Sequence, residues 1–180
     1  MYISHKLKQE NIAEYLLYMW QIEDIIRAAD CDMERLRSGY LSQFGLDEAQ
    51  RKELEQWYTD LIDMMHREGV ARSGHLQINK NVIIWLTDLH LRLMGSAKHG
   101  FYHAAYYKAL PYIVELRNKG EKKEQPELET CFDALYGVML LRLQKKPVSK
   151  ETETAVADIS RLLSMLSAYY KEDKEDKLEL

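Results

Sequence analysis

Asn81-Val-Ile-Ile-Trp-Leu-Thr-Asp-Leu-His-Leu-Arg-Leu-Met94 is the most apolar segment of the chain. At the helical advance of about 100° per residue, Val82, Leu86, Leu89 and Leu93 fall on one stripe. Ile83, His90 and Met94 lie on one flank and Trp85 on the other, while Ile84 and Leu91 face nearly the opposite way. Only Thr87, Asp88 and Arg92 remain for water. A helix that is apolar on most of its circumference is covered by neighbours on several sides. This segment is therefore expected to be the central helix of an all-α bundle, with both Trp85 and Leu89 in the core.

The flanking sequence fits that frame. Asn11 and Glu14 have the spacing of a capping box and open a helix over 11–29, whose apolar face carries Ile12, Leu16, Met19, Ile22 and Ile26. Glu23 projects within that face. Residues 1–10 read as a short lead-in. Asp32 caps a short helix over 33–43, and Asp47 with Gln50 opens a longer one that stops at Gly69. Beyond the central segment, Ser96 caps a helix to about residue 119 that contains Pro111, which removes one backbone hydrogen bond and bends it. The spacing assigns Phe101, Ala105, Ala109, Tyr112 and Leu116 to its inner face, with Tyr102, Tyr106 and Ile113 on a flank.

Residues 120–125 read as a charged turn. Pro126 suits the start of a helix to about 145, and Ser149 caps the last, with Val156, Ile159, Leu162, Leu163, Leu166 and Tyr170 as its stripe. No run alternates with period two, and no unit repeats at a fixed period. The expectation is an all-α fold of six or seven helices. They form a largely antiparallel bundle with one Pro-bent helix, in a single domain over 1–170. Residues 171–180 are nearly all charged. They carry too little apolar surface to offset the entropy of ordering, so they are read as a disordered, dispensable tail.

Composition narrows the function classes. Apolar residues make up 46% and charged residues 30%, as in ordinary globular proteins, and the net charge of −4 argues against the basic footprint that nucleic-acid binding needs. Basic clusters occur at Arg117, Lys119, Lys122 and Lys123, and at 142–150, but a helix separates them, so they form no single patch. Two isolated cysteines, Cys31 and Cys131, match neither a disulfide framework nor a zinc site. They fit a reducing compartment. No run is long enough for a membrane helix, and the N-terminus lacks the apolar core of a signal peptide. Together these point to the cytoplasm.

The residues that could carry chemistry are polar groups on apolar faces. Glu23 and His90 each sit on the buried face of a helix, where an unpaired charge is costly. They are expected to pair with each other, or Glu23 with Arg27 one turn on. Pairing would raise the His90 pKa and lower that of Glu23. Tyr102 and Tyr106 sit near the Pro111 bend and could line a pocket beside them, so Glu23, His90, Tyr102 and Tyr106 form the candidate buried polar or ligand site. His99 and His103 share a helical face and, with His90, are candidate metal ligands, although no His-Glu-x-x-His or Glu-x-x-His motif supports them. Arg92 and His99 enclose six residues, a spacing allowed by the Arg-x(4–6)-His motif of HEPN-type ribonucleases. The acidic balance opposes that reading. No phosphate loop and no nucleophile arrangement is legible, and no cofactor is indicated.

The chain as a whole resembles an uncharacterised bacterial domain-of-unknown-function family of small all-helical proteins of about this length. The resemblance rests on Asn11-Ile-Ala-Glu-Tyr-Leu-Leu-Tyr-Met-Trp-Gln-Ile-Glu-Asp24, Ser73-Gly-His75, Leu89-His90 and the tyrosine-rich segment before Pro111. It implies a small helical bacterial protein of the cytoplasm and transfers no activity. The leading expectation is a non-enzymatic protein that acts through protein contacts as a homo-oligomer. The alternative is a small-molecule- or metal-binding bundle, with an enzyme included in that class.

Overall fold

In the computed structural model, which describes residues 2–119 and 125–180, the chain is all-helical, and no strand occurs among the described residues. The helices are α1 (Tyr2–Glu10), α2 (Ile12–Ala28), α3 (Met33–Gly39), α4 (Glu48–Arg67), α5 (Gln77–Gly95), α6 (Gly100–Lys119), α7 (Glu127–Leu143) and α8 (Lys150–Lys174). Short 3-10 turns at Leu41–Gln43 and Ala97–His99 precede α4 and α6. The charged turn expected at 120–125, with Lys122 and Lys123, lies outside the described residues except for Gln125.

Several ends are written locally. Asp32 accepts from the Arg35 N–H at 2.8 Å, and Asp47 with Gln50 forms the reciprocal capping box that their spacing predicts. Ser149 accepts from the Thr152 N–H at 3.2 Å. At the end of α4 the Val70 N–H reaches back to the Met65 carbonyl at 2.9 Å and Gly69 to His66 at 3.2 Å. This Schellman closure needs a left-handed residue, and Gly69 supplies it with φ of 70°.

Among the described residues eight helices replace the expected six or seven, because residues 2–10 form α1 rather than a lead-in. Little in its apolar pattern announces it. A tertiary contact holds it, the Tyr2 hydroxyl donating to Glu53 at 2.6 Å. The expected helix over 33–43 is split into α3 and a 3-10 turn. The amide oxygen of Asn11, expected to act in a capping box, accepts from the Ser167 hydroxyl at 2.7 Å.

Backbone contacts group the chain into two compact units, where composition suggests one domain over 1–170. The first comprises Met1–Glu10 and Glu14–Val82; the second comprises Asn11–Ala13 and Ile83–Leu180. In the first, α3 packs on α4, and the buried set includes Leu16, Trp20, Ile26, Leu36, Tyr58 and Met65. In the second, α6, α7 and α8 pack on one another around Phe132, Ile159, Leu162 and Leu166.

The central segment keeps its main stripe: Val82, Leu86, Leu89 and Leu93 are all buried. Its remaining circumference is not covered as its apolar pattern suggests. Ile84, Trp85 and Leu91 are exposed. Trp85 is partly screened by the Lys174 ammonium, which lies 5.6 Å from its ring centroid and 5.5 Å from that of Tyr170, a cation–π arrangement. Helix α8 thus runs four residues into the expected tail, and Asp173 makes a two-pronged ion pair with Arg92 at 2.7 and 2.9 Å.

The inner face of α6 is also rotated from the one its spacing suggests. Tyr102, Ala105, Ala109 and Ile113 are buried, while Phe101 and Leu116 are exposed. Both registers satisfy the helical period, and the choice between them follows from which aromatic finds a partner. Pro111 lies inside α6 on its exposed side.

Leu89→Ala should lower the unfolding free energy by about 2–5 kcal/mol through transfer and cavity terms. Ile84→Ser on the exposed face of the same helix should change it by no more than about 0.5 kcal/mol. Urea unfolding followed by circular dichroism measures both, and equal losses would contradict the one-sided burial of α5.

Candidate functional site

Two polar constellations surround the buried Glu23 and His90, one in each unit. In the first unit Glu23, 1% exposed, sits one helical turn before Arg27 on α2. Its carboxylate accepts from the Leu76 N–H at 2.9 Å and from the Asn79 amide at 2.7 Å through one oxygen. The other oxygen lies 2.6 Å from His75 Nδ1 and 3.8 Å from the Arg27 guanidinium. Arg27 in turn donates to the carbonyls of Val70 and Gly74 and pairs with Asp24 at 2.9 Å. The loop before α5 is therefore gripped from α2 by one anion and one cation, a turn apart.

The grip also starts α5. The first N–H groups of a helix need acceptors and favour negative charge. No Ser, Thr, Asp or Asn precedes Gln77 closely enough to cap it in the usual way. Glu23 takes the Leu76 N–H instead, and Glu68 from the end of α4 takes that of Gln77 at 2.6 Å. Both acceptors come from outside α5 and its preceding loop, so no residue beside Gln77 marks the start of this helix.

His75 is the accessible member of this group. Its side chain is 25% exposed, with its ring stacked on Trp20 at 4.1 Å between centroids and 14° between planes. With Nδ1 held by Glu23, the ring is fixed in orientation and Nε2 is its remaining polar atom. A carboxylate-oriented imidazole of this kind can act as a proton acceptor or a metal ligand. No group of three or more His, Cys, Asp or Glu side chains that could hold a metal ion occurs among the described residues.

In the second unit His90 Nδ1 lies 2.7 Å from the Tyr102 hydroxyl, and the Tyr106 ring packs on the imidazole at 4.9 Å. The Tyr106 hydroxyl donates to Glu127 at 2.9 Å, and Arg117 approaches the other oxygen of Glu127 at 3.6 Å. Tyr102 is fully buried, as is Cys131. Burial lowers the His90 pKa below its ordinary value, with Glu127 opposing. Burial, then the bond to Glu127, pushes the Tyr106 phenol up to about 12. Burial likewise pushes the Cys131 thiol up to about 12. This network is uncharged at its centre and closed, and it presents no nucleophile.

The hydrogen bonds that Glu23 and His90 make are to other residues, Glu23 to His75, Leu76 and Asn79 and His90 to Tyr102. Of the candidate residues, His90, Tyr102 and Tyr106 do come together, while Glu23 binds His75 and Asn79, which sequence reasoning passed over. The predicted rise in the His90 pKa is corrected to a fall, because burial outweighs the opposing charge of Glu127. Arg27 was legible as a neighbour of Glu23 from its spacing. The three candidate metal ligands point their rings at different partners: His90 at Tyr102, His99 Nε2 at the Glu179 carbonyl at 2.9 Å, and His103 Nε2 at the Leu93 carbonyl at 2.9 Å. Arg92 and His99, which share the ribonuclease-like spacing, are occupied by Asp173 and the Glu179 carbonyl, respectively.

A family model described as a domain of unknown function, DUF4924, matches residues 1–177. The chain belongs to this family. No curated protein and no solved structure matches the chain. The DUF4924 assignment agrees with the resemblance carried by the α2 segment and by Ser73-Gly-His75, and those two stretches supply Glu23 and His75 to one hydrogen-bonded set. No helix of the described residues is long and apolar enough to cross a membrane.

Two outcomes test this site. Glu23→Ala leaves several buried donors without an acceptor and should destabilise the protein by about 3–5 kcal/mol, whereas His75→Ala, at the partly exposed end, should cost about 1–2 kcal/mol. Thermal and urea unfolding read the difference. The second concerns His90. Its folded pKa lies below its unfolded value of about 6.5, so the unfolded chain binds the proton first. Its contribution is present above the unfolded pKa and is lost as pH falls through it toward the folded one. Stability should fall between pH of about 7 and 5, and His90→Gln should flatten that fall; an unchanged slope would show that other groups cause it.

Proposed function

We propose that this protein works through protein–protein contacts as a homo-oligomer, with the outer face of α6 as its contact surface. The observation that carries this reading is a continuous exposed apolar stripe. Phe101 is 86% exposed and Tyr107 61%, and Ala104, Pro111 and Val114 continue the same face at helical spacing. Large side chains so exposed in one stripe mark interaction surfaces, whereas singly scattered ones do not. Aromatic residues are also the ones enriched at interface centres. Lys108 and Glu115 flank the stripe as a polar rim. A two-fold dimer would set two α6 helices against each other, since a self-complementary patch closes under that symmetry. The setting that fits is a largely antiparallel helical bundle in the cytoplasm, a compartment suited to the two free cysteines.

A second reading, a small-molecule- or metal-binding protein, draws on the partly exposed His75 held by buried Glu23. It would rest on His75 rather than on the closed His90, Tyr102 and Tyr106 network. Metal analysis of the purified protein, followed by zinc titration of the wild type and of His75→Ala, separates the two readings.

The oligomer reading is tested by sedimentation equilibrium. The wild type should dimerise at roughly micromolar concentration, and Phe101→Glu or Tyr107→Glu should weaken the dimer by at least about tenfold. Both variants should keep their helical circular dichroism and their melting temperature within a few degrees. A wild-type protein that stays monomeric at roughly 100 µM would overturn the proposal.

A further inference from the structure

The first unit contains a pocket that neither the Glu23 set nor the α6 face explains. It has a volume of about 220 Å³, and Tyr2, Tyr18, Tyr40, Phe44 and Tyr58 line it, with aliphatic side chains and the Gln50 amide completing the wall. None of its lining residues carries a formal charge: the wall holds no Lys, Arg, His, Asp or Glu. Burial pushes the phenols of Tyr18 and Tyr58 up, so they stay neutral. The rings are fixed against one another, Tyr40 edge-on to Phe44 at 5.2 Å and to Tyr58 at 6.3 Å.

Carboxylates stand next to this wall. The Tyr2 hydroxyl donates to Glu53 at 2.6 Å, and the phenol of Tyr2 is raised first by that bond and by Glu53's charge, with a further contribution from Asp47. Asp47 also caps α4, where its side chain accepts from the Gln50 N–H at 2.8 Å. An aromatic wall without formal charge and carboxylates beside one of its tyrosines complement one kind of ligand. A cation is attracted by both. An anion meets neither a basic side chain nor a free helix N-terminus, since Asp47 occupies that of α4. A strongly hydrated metal ion would exchange its water for neutral phenols and one amide, with no carboxylate in the wall to ligate it.

We propose that this pocket binds a small organic ammonium ion of the quaternary, methylated class. Methyl groups on nitrogen spread the charge over an apolar surface, so such an ion sheds water at low cost and packs against rings. A volume of 220 Å³ accommodates an ion the size of choline. Glu53 supplies long-range attraction through its place beside Tyr2, and the rings supply selectivity for the alkylated head.

The full-length protein is titrated with choline, with its uncharged isostere in which a quaternary carbon replaces nitrogen, and with phosphatidylcholine vesicles, by NMR of the tyrosine ring protons. Choline should shift those resonances with a millimolar or tighter Kd, and the isostere should bind at least about tenfold more weakly. Tyr40→Leu and Phe44→Leu should each weaken choline binding about tenfold or more, and Glu53→Gln, an exposed change that spares the fold, about two- to fivefold. Two exposed-edge variants guard against loss of folding, which circular dichroism checks. Equal binding of choline and isostere would show an apolar cleft without cation selectivity and overturn the proposal. So would an absence of choline binding, or binding to vesicles without binding to free choline.

Discussion

A buried carboxylate needs acceptable company, and the first unit is arranged to give it to Glu23. Three donors and a guanidinium converge on a side chain that has almost no access to water. In return Glu23 defines the loop before α5 and the point where α5 begins. Arg27 extends the same logic by satisfying carbonyls of that loop, which would otherwise be left without partners. Removing one ion leaves the other buried among groups chosen to suit its counterpart, so the two act as a unit.

The second unit handles its buried polar groups differently. His90 is accommodated in neutral form by a tyrosine hydroxyl and an aromatic ring face. Charged groups are paired, Glu127 with Arg117, Arg92 with Asp173, and the buried Asp158 with Lys108 at 2.7 Å. The apolar side chains that remain outside, Phe101 and Tyr107 above all, have no such internal solution. Their exposure in one stripe of α6 is what gives the contact reading its physical basis. The aromatic pocket of the first unit is a third arrangement, walled by rings with carboxylates beside it, and its chemistry is independent of that stripe.

Much of the helical framework could be read directly. Asp32, Asp47 with Gln50, Gly69 and Ser149 act within a few residues of themselves, and their signals survive folding unchanged. The stripe through Val82, Leu86, Leu89 and Leu93 was legible for the same reason, since a helical period is a local property. The candidate site was legible in part. Glu23 and His90 stood out because each breaks an apolar pattern, and Tyr102 and Tyr106 because they flank one. Their partners did not stand out. His75 and Asn79 sit in a loop and a first turn, where polar residues are unremarked.

What the sequence by itself determined is therefore the helical class, the caps, the main buried stripes and the identity of the polar groups that must find partners. The tertiary structure decided which partner each one found: His75 for Glu23, Tyr102 for His90, Glu53 for Tyr2. It also decided which of two equivalent faces of α6 turns inward and how much of α5 is covered. The physical reason is that helical periodicity and capping are set by residues three or four apart, which carry their own geometry. The pairing of buried polar groups and the covering of an all-round apolar helix depend on residues from a dozen to more than fifty positions away, and many such pairings satisfy the same local pattern equally well.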